Sequence, residues 1–204
     1  MEPSTTSFAL LGLLSVRAWT SYELAQQMTR SLRWFFPRAE RHLYAEVKRL
    51  ADAGLATAEV GFTGKRRSTT YAITPAGREA LREWLRTAPA PPVLEAEVVV
   101  RAFFAESGRR DDLVAALETA RRQAVEAQQE LAAMAQARLD GVAPFPERTA
   151  MGALSMRFVA DLHRLLEEWA TWATDEVATW QHADGRDWDG ALAVFADVAG
   201  AADR

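Results

Sequence analysis

Apolar positions recur at helical spacing through most of the chain, and the period changes once. Phe8, Leu11 and Leu14, with Leu10 and Leu13 beside them, form one broad face and predict a helix over residues 5–17. Thr20 or Ser21 suits an N-cap and Glu23 follows in the first turn. Tyr22, Leu24, Ala25 and Met28 then carry a second helix. Pro37 fits the first position of a third helix, where its missing N–H would have no partner anyway. Leu43, Val47 and Leu50 give that helix an inward stripe, and Gly54 stops it. Leu55–Val60 and Ser68–Ile73 then show a period of two, rich in Thr, Val, Tyr and Ile and separated by turn residues, which predicts a β-hairpin. Thr74-Pro75 reads as the N-cap and first residue of a fourth helix, with Leu81, Trp84 and Leu85 facing inward.

Prolines at 89, 91 and 92 interrupt the pattern and mark residues 88–93 as an extended linker. A short helix is expected over Leu94–Glu106. Asp111 and Asp112 then open a long helix whose apolar positions 113, 117, 120, 124, 127, 131 and 134 alternate spacings of four and three, a heptad seam. DGVAPFP at 140–146 breaks it. A second long helix over 148–181 carries the stripe Met151, Leu154, Phe158, Leu162, Leu165, Trp169, Trp172 and Trp180, and Ala191–Val198 suits a last short helix.

The order helix, helix, helix, hairpin, helix is that of a winged helix-turn-helix. The expected fold is therefore mainly α with a small β-hairpin wing. Residues 1–87 would form the winged helix-turn-helix DNA-binding domain, and residues 94–204 a helical, coiled-coil-like dimerisation domain.

Charge sharpens this picture. The 204-residue chain has a net charge of −4, yet residues 1–87 hold 13 Lys and Arg against 8 Asp and Glu, so the remainder is acidic. A polyanion would be attracted to the first part and repelled by the second. If the inner stripe of the third helix packs on its neighbours, its outer face offers Arg38, Arg41, His42, Tyr44 and Lys48 to a major groove, with Glu40 and Glu46 among them. The hairpin turn "GKRR" would bring Lys65, Arg66 and Arg67 to phosphates or a minor groove. Cations at a protruding turn are expected where the partner is duplex DNA.

The segments "FALLGLL", "SYELAQQM", "LYAEVKRLADAGLATAEV", the basic turn and "TTYAITPAGREALREWL" resemble, in that order, the PadR-type transcriptional regulators over residues 5–87. The two long helices beyond resemble the larger C-terminal domain of the virulence-activator-like subfamily. His42 before Leu43-Tyr44, and Ala45 after, depart from the family pattern of a small residue and a proline there. The resemblance implies a homodimer that represses or activates transcription at a double-stranded DNA operator, often in answer to a small phenolic or drug-like molecule.

The heptad seam admits either an intramolecular helix pair or dimerisation through the long helices. Seven tryptophans admit either core packing or an effector pocket, for which Phe158, His163, Trp169 and Trp172 are the candidates. The expected function is repression released by a small aromatic or drug-like effector; the alternative is an effector-independent regulator or activator controlled by abundance or a protein partner. So is a winged helix used for protein contacts alone. No catalytic residues, metal ligands or cofactor are expected. Cysteine is absent, and His42, His163 and His182 share no ligand spacing. The start MEPSTTSFALLGLL carries no cationic leader, so the expected location is cytoplasmic, away from membranes.

Overall fold

The computed structural model describes residues 3–37, 40–63, 66–182, 184–186 and 188–201, apart from the side chains of 40, 63, 66 and 201. The chain divides into two compact units, Met1–Pro92 and Val93–Arg204.

The first unit is built on α1 (Thr5–Val16), which Ser4 caps. Leu10, Leu11 and Leu14 of α1 are fully buried. They meet Leu24, Ala25 and Met28 of α2 (Ser21–Leu32) and Leu43, Val47 and Leu50 of α3 (Glu40–Asp52) in one small core. Thr20 caps α2 in a reciprocal box, accepting from Glu23 N while the Glu23 carboxylate accepts from Thr20 N at 2.8 Å. That backbone bond, aided by Arg17, holds the Glu23 carboxyl below its ordinary value. Tyr22 does not join the core as expected. Leu24, Ala25 and Met28 define the buried face, and Tyr22 in the first turn points away from it to solvent. Pro37 is not helical. It follows the turn that closes α2, where Phe36 N donates to Leu32 O, and proline is as much at home after a helix end as at a helix start.

Helix α3 ends in a Schellman motif. Gly54 has φ +72°, Leu55 N donates to Leu50 O and Gly54 N to Ala51 O. The chain turns directly into the wing, β2 (Ala56–Thr63) and β3 (Arg66–Ile73), paired antiparallel from Ala56↔Ile73 to Thr63↔Arg66. A third strand, β1 (Trp19–Thr20), adds to β3 at Tyr71 and Thr70, so the sheet order is β1-β3-β2. A two-residue strand has no readable period, which is why the sequence pattern predicts only the hairpin. Trp19 itself is buried and donates Nε1–H to Leu13 O at 2.8 Å.

Thr74 ties the wing to α4 (Pro75–Arg86) and both to the end of α3. Its hydroxyl donates to Gly54 O at 2.7 Å and accepts from Gly77 N at 3.0 Å. Trp84 stacks on Phe8 of α1, ring centroids 4.9 Å apart, whereas Leu85, expected inward, is exposed.

The second unit is helical. Helix α5 (Glu97–Phe103) is shorter than expected and passes into a 3₁₀ turn at Ala105–Ser107. Helices α6 (Arg110–Leu139) and α7 (Thr149–Thr179) form an antiparallel hairpin, and α8 is Ala191–Ala201. Leu113, Leu117, Ala124, Ala127 and Leu131 bury most of the α6 seam that the heptad spacing predicts, whereas Met134, its last position, is exposed near the helix end. On α7, however, the buried residues are Val159, Ala170, Ala173 and Val177. Met151, Leu154, Phe158, Leu165 and Trp172 of the expected stripe are exposed. The reason is size. Leucines of α6 already fill much of the seam, α7 meets them with the smaller Val159, Ala170, Ala173 and Val177, and the bulkier α7 side chains lie off that face.

Gly77 has no room for a side chain: a Cβ there would stand 2.1 Å from Leu55 O, a backbone atom that cannot swing aside. Gly77→Ala is expected to lower unfolding stability by about 1–3 kcal/mol in urea titrations. Gly12→Ala, in a helix with nothing within 4 Å of the new methyl, should be neutral or stabilising.

Candidate nucleic-acid interface

Helix α3 has two chemically distinct faces, and packing decides which is which. Leu43, Val47 and Leu50 are each 2% exposed and lie against α1 and α2. Arg41, His42, Tyr44, Ala45 and Lys48 are consequently exposed. Arg41, Tyr44 and Lys48 follow one another at spacings of three and four, so they form one ridge directly opposite the buried stripe. His42 stands at the flank of this ridge. Glu46 is not on the outer face with the cations, as the sequence pattern suggested, but is buried between Leu43 and Leu50. The face left for a partner is therefore more basic than expected. Arg38 lies outside the described residues.

The wing has its own gradient. Strand β1 covers β3 only at residues 70 and 71, so the outer part of the hairpin is a two-stranded ribbon. Val60, Phe62 and Arg67 are exposed on it, with Phe62 paired opposite Arg67. Arg66 opens β3 opposite Thr63. Lys65 and the turn glycine lie outside the described residues. An arginine beside an aromatic ring on a projecting ribbon can pair with a phosphate while the ring covers sugar or groove wall.

Residues 10–83 match the Transcriptional regulator PadR-like family. Over those residues the N-terminal unit is similar to PadR-like domains. The negative transcriptional regulator PadR of Bacillus subtilis is 29% identical over 99 residues, 48% of this chain and 54% of that protein, so the match spans about half the relative's length. Among solved structures, B. subtilis PadR in complex with operator DNA superposes with TM-score 0.72 at 20% identity, covering 85% of this chain and 99% of that one. The same regulator in complex with p-coumaric acid gives TM-score 0.64 at 20% identity, covering 84% and 98%. The Vibrio cholerae virulence activator AphA gives 0.61 at 22%, covering 85% and 98%. At these identities the superpositions establish a shared fold: a PadR-like winged helix with a helical C-terminal extension.

In the N-terminal unit, Tyr22 and Gln26 also face outward. Both are exposed on α2, with the Gln26 amide donating to the Tyr22 hydroxyl at 3.1 Å. Their spacing of four, opposite Leu24 and Met28, was the available signal. In the helical unit, the four candidate effector residues do not meet in one cavity. Trp169 packs on Leu113, Leu117, Ala173 and Val177. Phe158 lies on the free face, and His163 is half-buried beside the seam. Trp172 lines a cavity of about 390 Å³ with Glu176, Trp188 and Asp197. A second, of about 380 Å³ around Phe104 and Leu113, contains none of the four.

Burial pushes the His163 imidazole below its ordinary value, so the folded chain prefers it neutral. The unfolded chain takes up this proton near about pH 6.5 and the folded chain only at lower pH. Between those points the unfolded state binds more protons, and stability falls as pH falls. Urea midpoints at pH 7.5 and 5.5 should show this loss in the native chain, and His163→Gln should reduce it.

Proposed function

We propose that this chain is a homodimeric, operator-binding transcriptional regulator that seats α3 in the DNA major groove and lays the wing on the adjacent backbone. The observation that carries the reading is the α3 ridge of Arg41, Tyr44 and Lys48, exposed because Leu43, Val47 and Leu50 are fully committed to the core. Residues 1–87 are the DNA-binding domain in this reading. His42, Arg67 and, outside the described side chains, Arg38, Lys65 and Arg66 complete the contact set. The solved complex of B. subtilis PadR with operator DNA supports it by fold. The site of action is the cytoplasm, where the operator lies.

Dimerisation falls to residues 94–204. Met151, Leu154, Phe158 and Leu165 recur on an exposed face of α7 at spacings of three, four and seven, the pattern of a second helix–helix seam, and Leu165 is 60% exposed. A two-fold dimer would present two α3 helices to half-sites one helical turn apart.

For regulation we favour repression relieved by a small aromatic molecule, as suggested by the PadR structure with p-coumaric acid. A second reading, control by abundance or a protein partner without an effector, is favoured by the separation of Phe158, His163, Trp169 and Trp172.

A genomic binding selection with the purified chain would supply the operator, and titrations across salt would test the interface. Arg41→Ala and Lys48→Ala should each weaken binding by about 1–3 kcal/mol where they read a base. Lys65, Arg66 and Arg67 replaced together by Gln should flatten the salt dependence by about one unit of slope for each phosphate no longer neutralised. Unchanged affinity and slope in all of these would point to a winged helix serving protein contacts. Leu165→Glu should yield a helical monomer in sedimentation and weaken operator binding.

A further inference from the structure

The buried charge on α3 has no role in the interface described above. Glu46 is 7% exposed and sits within the helix's inner stripe, the position where an apolar side chain would be cheapest. Its carboxylate instead reaches the first turn of α1. Ser7, itself buried, donates its hydroxyl to Oε1, and the Ser4 hydroxyl lies 3.3 Å from the same oxygen. Arg49 Nη1 donates to Oε2 at 2.7 Å. Ser4 and Ser7 are fixed in turn as a capping box, with Ser4 N donating to Ser7 Oγ at 2.8 Å and Ser7 N to Ser4 Oγ at 3.2 Å.

We propose that Glu46 is a positioning residue that clamps α3 to the N-terminus of α1 and so sets the tilt and rotation at which the outer ridge meets DNA. The inference rests on the reading of α3 as the DNA-contacting helix. Its physical basis is direction. Apolar packing is non-directional, so Leu43, Val47 and Leu50 hold α3 against the core but tolerate small slides and rolls. Hydrogen bonds from two hydroxyls locked in a cap do not. The clamp lies within one turn of Tyr44 and Lys48, and its third partner, Arg49, neighbours Lys48 in sequence. Base-edge hydrogen bonds demand placement within about 0.5 Å and 10–20°, whereas phosphate contacts carry no sequence information and only position the protein. Loosening the clamp should therefore cost sequence discrimination before it costs general DNA affinity.

The test uses the full chain with Glu46→Gln, Glu46→Leu and Ser7→Ala, the selected operator duplex and a scrambled duplex of equal length. Glu46→Leu continues the apolar stripe and is expected to keep or raise the urea midpoint. Each variant should lower the ratio of operator to scrambled affinity by about tenfold, with scrambled affinity and salt slope unchanged. Ser7→Ala combined with Glu46→Gln should be little worse than Glu46→Gln alone, because both remove one interaction. Retention of the native ratio by Glu46→Leu would overturn the proposal, as would equal losses on both duplexes that track the urea midpoint. Residual dipolar couplings without DNA isolate the clamp from the functional reading. A changed angle between α1 and α3 in Glu46→Leu supports it, and an unchanged angle overturns it. If the native chain binds no duplex, the functional reading falls while these couplings still decide the clamp.

Discussion

One packing decision governs the N-terminal unit: which side of α3 is given to the core. Leu43, Val47 and Leu50 must be buried, since the unit is small and has little other apolar surface with which to offset the entropy of ordering its chain. Because a helix has 3.6 residues per turn, that choice leaves Arg41, Tyr44 and Lys48 outside. The Gly54 turn and the Thr74 bridge then fix where the wing leaves α3. The exposed basic ridge is a by-product of how hydrophobic residues close a three-helix core.

The sequence makes the helices of this unit legible because stripe, cap and stop agree with one another. Thr20 with Glu23, Gly54, and Thr74 with Pro75 each mark a boundary by a mechanism visible in residue types alone. Three features were hidden. Strand β1 is two residues long and has no period. Tyr22 is apolar enough to be read as core, yet lies off the face that its neighbours define. Glu46 reads as solvent-facing because it is charged, and only the two serines 39 and 42 residues earlier in sequence reveal why it is inside. Contacts between residues so far apart leave no local trace.

The helical unit shows a different limit. Hydropathy weights side chains by size, so Phe158, Leu165, Trp169 and Trp172 dominate any stripe drawn on α7. Packing weights fit, and Val159, Ala170, Ala173 and Val177 take the intramolecular seam, Ala173 and Val177 against Leu113 and Leu117 of α6. One helix thus carries two apolar faces, one buried within the chain and a bulkier one that is largely exposed. Of the aromatic residues grouped as a pocket, Trp169 packs inward and Phe158 is exposed.

The most direct test of α3 and the wing as the DNA-contacting surface is an amide chemical-shift titration of the labelled chain with its selected operator duplex. Perturbations are expected along Arg41, His42, Tyr44, Ala45 and Lys48 and along the outer wing through Arg67, while Leu10, Leu14 and Leu24 stay unmoved. Perturbations confined to the helical unit, or absent from α3 while DNA is bound, would contradict it.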